Sequence, residues 1–143
     1  MKRITFLSFL LLLLAVVSVS CSDPSLNDYI TEFKGQMPED LGNGFSMTDI
    51  SIVDDYVLLD CAADETEFEL GNPLVQAIAP AIAESLKSMF VDNPDMTDFM
   101  QACSDEGKGF YVVAKGTKTG GTLDLFKATP EEIRAKFPPK TKE

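Results

Sequence analysis

No histidine occurs anywhere in the 143 residues. A Ser-His-Asp or Cys-His nucleophile is therefore excluded within this chain, and the commonest zinc ligand is missing. Basic charge is also scarce, with 12 Lys and Arg against 23 Asp and Glu. So acidic a surface repels nucleic acid and anionic lipid head groups, and no nucleic-acid partner is expected. Cysteine is limited to three residues with no C-x-x-C spacing, the pattern of a redox pair. Gly116 to Gly121 lacks the Lys-Ser/Thr ending of a phosphate cradle and reads as a hairpin turn. Asp92-Asn93-x-Asp95-x-x-Asp98 offers oxygen ligands but has no glycine at the sixth loop position and no Glu at the twelfth. Asn93-Pro94 is better explained as a helix start. Asp60, Asp64 and Glu65 lie close in sequence, and two carboxylates flanking a sugar can hydrolyse it. Acidic side chains on a wet face are the default, however. No catalytic residue, cofactor site or metal site is expected, and no enzymatic role.

What the chain does have begins at Met1. Lys2 and Arg3 are followed by an almost wholly apolar stretch from Ile4 to Val17, unbroken from Phe9. Ser18-Val19-Ser20 and Cys21 come next. A charged start, a short apolar stretch and small residues at a cut site make a secretory signal. The unbroken run is about half of the roughly 20 residues that a spanning helix needs. Ser18-x-Ser20 fits ordinary cleavage before Cys21. The same stretch resembles the lipobox of bacterial lipoproteins, in which the residue after the cut is a lipid-bearing Cys. Val19 and Ser20 suit that pattern, and Ser18 stands where Leu is usual. The resemblance implies that Cys21 is acylated and attaches the protein to a membrane. Ser22, rather than Asp, at the next position implies transport to the outer membrane. Cysteine parity agrees, because three is an odd count for an exported chain and lipidation of Cys21 leaves the pair Cys61 and Cys103.

Removal of residues 1–20 leaves 123 residues, enough for one core. Lys2 and Arg3 depart with the signal, so ten basic residues face 23 acidic ones, a net charge of −13. A basic patch is thus not what holds the protein at a membrane. Residues 21–25 read as a short lipidated tether, 26–137 as a single domain and 138–143 as a polar, disordered tail.

Within that domain, Ser25 can cap a helix carrying Leu26, Tyr29, Ile30 and Phe33 on one face, ended by Gly35. Gly42-Asn43-Gly44 is loop chemistry. Phe45–Val53 and Tyr56–Ala63 read as a hairpin turning at Asp54-Asp55. Leu58 and Tyr56 make its outer side not fully polar. Asn72-Pro73 starts the longest helix. Its expected buried stripe is Leu74, Val75, Ile78, Ile82, Leu86, Met89 and Phe90, with a kink before Pro80. Asn93-Pro94 opens a second helix bearing Met96, Phe99, Met100 and Cys103. Phe110–Lys115 and Thr122–Lys127 read as a second hairpin. Thr129-Pro130-Glu131-Glu132 is a capping box that opens a last short helix.

The expected fold is α+β: a four-stranded antiparallel sheet from two hairpins, with helices packed on one face. Its expected core is Ile52, Val57, Leu59, Ile78, Ile82, Leu86, Phe99, Val112, Leu123 and Leu125. This order of elements resembles the small α+β folds of envelope lipoproteins, including some secretion pilotins, in topology alone. Cys61 and Cys103 both project toward the core. They are either a structural disulfide, which export permits, or two buried thiols.

The expected role is that of a lipid-anchored envelope protein acting as a non-enzymatic adaptor or binding module, with an envelope protein as its partner. The alternatives are a small apolar-ligand binder, with Met89, Met96 and Met100 lining a pocket between the long helix and the sheet, or an inhibitor of an envelope enzyme. An inhibitor would present Asp64–Glu69 or Gly116–Gly121 as a protruding loop.

Overall fold

Helix starts are the most local of these signals, and they fall where short polar side chains dictate. The structure, a computed structural model, describes residues 25–42 and 44–139. The signal at 1–20, Cys21, most of the tether and the end of the tail lie outside the described residues. Ser25 Oγ accepts from Asp28 N while the Asp28 carboxylate accepts from Ser25 N, which starts α1 (Leu26–Gly35). Asn72 and Pro73 start α2 (Pro73–Leu86), which runs through Pro80 and widens into a π turn at Lys87–Val91. Asn93 caps a 3₁₀ turn (Pro94–Met96) that leads into α3 (Thr97–Asp105). Thr129 and Glu132 form the capping box of α4 (Pro130–Lys136).

The class is α+β, as expected, but the sheet has five strands and is mixed. The strands are β1 (Glu39–Gly42), β2 (Phe45–Val53), β3 (Tyr56–Ala63), β4 (Gly109–Gly116) and β5 (Thr122–Ala128), in that spatial order. Two features correct the four-stranded antiparallel expectation. Chain that read as loop before Phe45 supplies the extra edge strand β1, paired Glu39↔Met47 and Gly42↔Phe45. The two hairpins also meet in parallel, with Tyr56↔Gly109 and Ala63↔Gly116 in register. The helices between them explain this. Pro73–Val91 spans 19 residues, or roughly 28 Å at the helical rise. That matches the roughly 26 Å of an eight-residue strand. The helix therefore returns the chain to the end where β3 began, and β4 starts there in the same direction.

One face of the sheet is covered. Val57, Leu59, Cys61 and Ala63 of β3 are buried against it, as are Phe110, Val112 and Ala114 of β4. The other face is half-open and carries Tyr56, Leu58, Asp60 and Ala62. Under α1 and α3 the core is aromatic. Phe99 meets Phe33, Tyr29 and Phe110 edge-on at 5.1, 5.8 and 6.0 Å, and Phe90 meets Phe110 at 5.2 Å. Of the expected core, Val57, Leu59, Leu86, Phe99, Val112 and Leu125 are buried, while Ile82 and Leu123 are partly buried against it. Ile52 and Ile78 are not core: they are 36% and 55% exposed. Ile52 sits at the turn end of its hairpin. Ile78 faces an open cavity between α2 and the sheet.

Candidate functional site

The stripe expected to be buried on α2 is where sequence pattern and structure part. Val75, Leu86 and, in the π turn, Phe90 are buried, but Leu74 is 75% exposed and Ile78 more than half exposed. Leu74, Ala77, Ile78 and Ala81 recur at helical spacing and are all exposed, giving an apolar strip along the helix that reaches the cavity wall at Ile78 and Ala81. Beneath it, between α2 and the sheet, lies an open cavity of about 420 Å³. Its floor is Phe45, Cys61 and Leu125, and its α2 wall is Ile78, Ala81, Ile82, Ser85 and Leu86. Leu41 of β1, Phe68 of the loop after β3 and Met89 of the π turn close its sides. No charged side chain lines it. Its size lies within the range of about 300–1,000 Å³ usual for small-molecule sites. Met89 lines it as expected. Met96 and Met100 do not, because both are wholly buried around α3 in the aromatic half.

Cys61 and Cys103 are free and both buried, so the pair gives two core thiols and no bridge. Desolvation pushes Cys61 up to about 12, with Asp60 adding to the effect, and raises Cys103 above the ordinary thiol range. Topology keeps them apart. The Cys103 carbonyl accepts from Lys108 N, one residue before the Gly109–Tyr56 pair. Cys61 sits five residues further along the strand, roughly 16 Å away. Neither is a poised nucleophile, since the thiolate is the reactive form.

The carboxylates weighed for hydrolysis have separate settings. Asp60 sits on the open face opposite Asp49. Burial first, then Asp49, raises it, and Lys115 opposes. Asp64 accepts from Thr66 N, with the Thr66 hydroxyl also in contact, and is lowered. Glu65, weighed in sequence only as a hydrolytic acid, has a setting that the sequence did not foresee. It is 2% exposed and accepts from Thr119 N, Leu70 N and Lys118 N at 2.7, 2.8 and 3.0 Å, and from the Thr119 hydroxyl. These bonds, the Thr119 amide foremost, hold it down at about 2. The Gly116–Gly121 turn thus does cradle an anion, and the anion is the chain's own carboxylate. Gly116 makes room for it, because a Cβ there would overlap the Glu65 carboxylate. The two loops expected to protrude are consequently clasped to each other. At the other segment weighed for metal binding, Asp92 pairs with Lys136 and Asn93 caps its own turn. Among the described residues, no group of three His, Cys, Asp or Glu is arranged to hold a metal ion.

The open face has its own cluster. Lys127 Nζ lies 4.9 Å from the ring centroids of both Tyr56 and Tyr111, a cation–π arrangement. Tyr111 donates to Asp124 at 2.5 Å, and that bond first, then burial, raises its hydroxyl to about 12.

The start of α1 lies at the opposite end of the sheet from the cavity. Leu26 N donates to Glu106, just after α3 and next to the β4 start, whereas Phe45 and Cys61 lie toward the far end of β3. No protein-family model, no curated protein and no solved structure matches the chain.

Proposed function

We propose that the chain is a lipid-anchored envelope protein, held at the outer membrane through acylated Cys21, that works as a non-enzymatic binding module. Its binding element is the cavity under α2. The observation that carries this reading is the open, uncharged cavity bordered by an exposed apolar strip. A solid core would instead have left only surface adaptor roles. The lipobox-like start supports the anchor. A tether of four residues reaches at most about 14 Å, so acylation at Cys21 puts the α1 start next to the bilayer. The cavity end then points away from the lipid. A second reading, docking of an envelope protein on α2, is favoured by Leu74 and Ile78, whose exposure suits a partner's apolar surface.

The test joins both parts of the proposal. Mass spectrometry of the native protein should show a mature start at Cys21 carrying acyl chains; an unmodified start removes the anchor. The apolar dye N-phenyl-1-naphthylamine should brighten on titration with the mature chain, and absence of any signal removes the cavity's binding role.

A further inference from the structure

Two small residues of α2 leave room for the cavity. Ile78, Ala81, Ile82 and Ser85 follow the 0, 3, 4, 7 spacing of one helical face, and all four line it. Ala81 and Ser85 are one turn apart, where larger side chains would fill the space above Phe45, Cys61 and Leu125. Ser85 also brings the only hydroxyl to the lining. A serine or threonine inside a helix can turn its hydroxyl back to the carbonyl four residues earlier. Thr31 does so toward Asn27 in α1, at 2.9 Å. Ser85 does not, and no described residue hydrogen-bonds to its hydroxyl. That hydroxyl is left for water or a ligand, and it can donate or accept. The amide of Gly42, by contrast, is already committed to Asp40 at 2.8 Å.

The lining carries no charge at neutral pH. No Asp, Glu, Lys or Arg belongs to it, and burial pushes the Cys61 thiol on the floor up to about 12, so that it stays protonated. An ion that entered would give up its hydration and meet no counter-charge, which is costly. An ion held at the mouth would keep its hydration but leave part of the cavity unfilled. An uncharged molecule meets neither penalty. At about 420 Å³ the cavity holds on the order of a dozen heavy atoms, taking for each the roughly 30 Å³ that a water occupies in the liquid.

We propose that the cavity binds uncharged, mainly apolar molecules of that size with one hydrogen-bonding oxygen, an alcohol, ketone or ester, which Ser85 holds, and that it discriminates against organic ions of either sign. This inference rests on the binding-module reading and adds the ligand class. Burial of the apolar body against Phe45, Cys61 and Leu125 supplies most of the affinity. Ser85 fixes the oxygen on the α2 wall. The uncharged lining supplies the selectivity, because it offers an ion no partner.

Displacement of N-phenyl-1-naphthylamine from the mature chain, residues 21–143 carrying Cys21→Ser so that no acyl group competes, tests it at pH 7. 4-Phenylbutan-1-ol, 4-phenylbutanoate, 4-phenylbutylammonium and n-butylbenzene share a body and differ in head. The alcohol is expected to displace the dye at concentrations about tenfold below those of either ion. Ser85→Ala should weaken the alcohol about threefold and leave butylbenzene unchanged. Ala81→Trp and Ile78→Trp, at two exposed wall positions, should each block all four ligands while leaving the unfolding midpoint unchanged. Binding of either ion as tightly as the alcohol overturns the exclusion of charge. An equal change for the alcohol and the hydrocarbon in Ser85→Ala overturns the role of Ser85, and wild-type displacement in both tryptophan variants overturns the location. Failure of the dye itself to bind removes the binding-module reading as well, so the two failures are distinguishable.

Discussion

Helices α1 and α2 both carry apolar residues at helical spacing, yet they end in opposite situations. All four stripe residues of α1 are buried, and two of them, Tyr29 and Phe33, join the ring cluster around Phe99. The longer and more apolar α2 buries only Val75 and Leu86, holds Ile82 partly covered, and leaves Leu74 and Ile78 in the open. One half of the sheet is filled with interlocking rings, and the other half is roofed rather than filled. An apolar periodicity therefore states which side of a helix can be buried. Whether it is buried depends on what the sheet offers beneath it. Under α1 and α3 that is Phe110 of β4, on which Phe99 of α3 packs edge-on; under α2 it is Phe45, Cys61 and Leu125 with an open cavity above them.

The sharpest way to break this contrast is Phe99→Ala. It removes a ring that touches three others, and a loss of about 3–5 kcal/mol in urea unfolding is expected. Gly116→Ala should cost about 1–3 kcal/mol, by forcing the Glu65 carboxylate out of its turn. Acid should act on the same clasp. Because Glu65 is held at about 2 in the folded state, below its ordinary value of 4.5, its stabilising contribution is fully present above that ordinary value and is lost as pH falls toward 2. The urea midpoint should fall across that window, and less steeply in Glu65→Gln; equal slopes would refute the assignment. The smallest effect sharpens the contrast most. Ile78→Ser should change stability by no more than about 0.5 kcal/mol while weakening dye binding to the cavity. A large stability loss would mean that α2 is packed like α1 after all.

Much of the local structure was legible because it depends on neighbours in sequence. The Ser25 and Thr129 capping boxes, the Asn72-Pro73 start and the hairpin turn at Asp54-Asp55 each need only a few consecutive residues. Strand β1 was not legible, since Glu39-Asp40-Leu41-Gly42 shows no alternation and carries two acids. The parallel join of β3 and β4 was not legible either, because which hairpin edges meet is set by the length of the helices between them. Of the candidate site, Met89 was anticipated, whereas the exposure of Ile78 was not, because periodicity cannot report a missing layer. Glu65 was hidden among acids that looked solvated. The signal that existed was Gly116 at the mouth of a glycine-rich turn.

The register of the sheet carries a consequence for crowding. The central β3–β4 pairing runs unbroken, but β1–β2, β2–β3 and β4–β5 each contain a shift, at Asp40/Gly42, Met47/Asp49 and Val112/Val113. Strand β1 is four residues long and acidic, and the β5 edge carries Asp124 and Lys127. Short, charged and bulged edges offer no continuous ladder to a neighbouring molecule. Copies at high concentration would therefore meet edges that resist being extended into an intermolecular sheet.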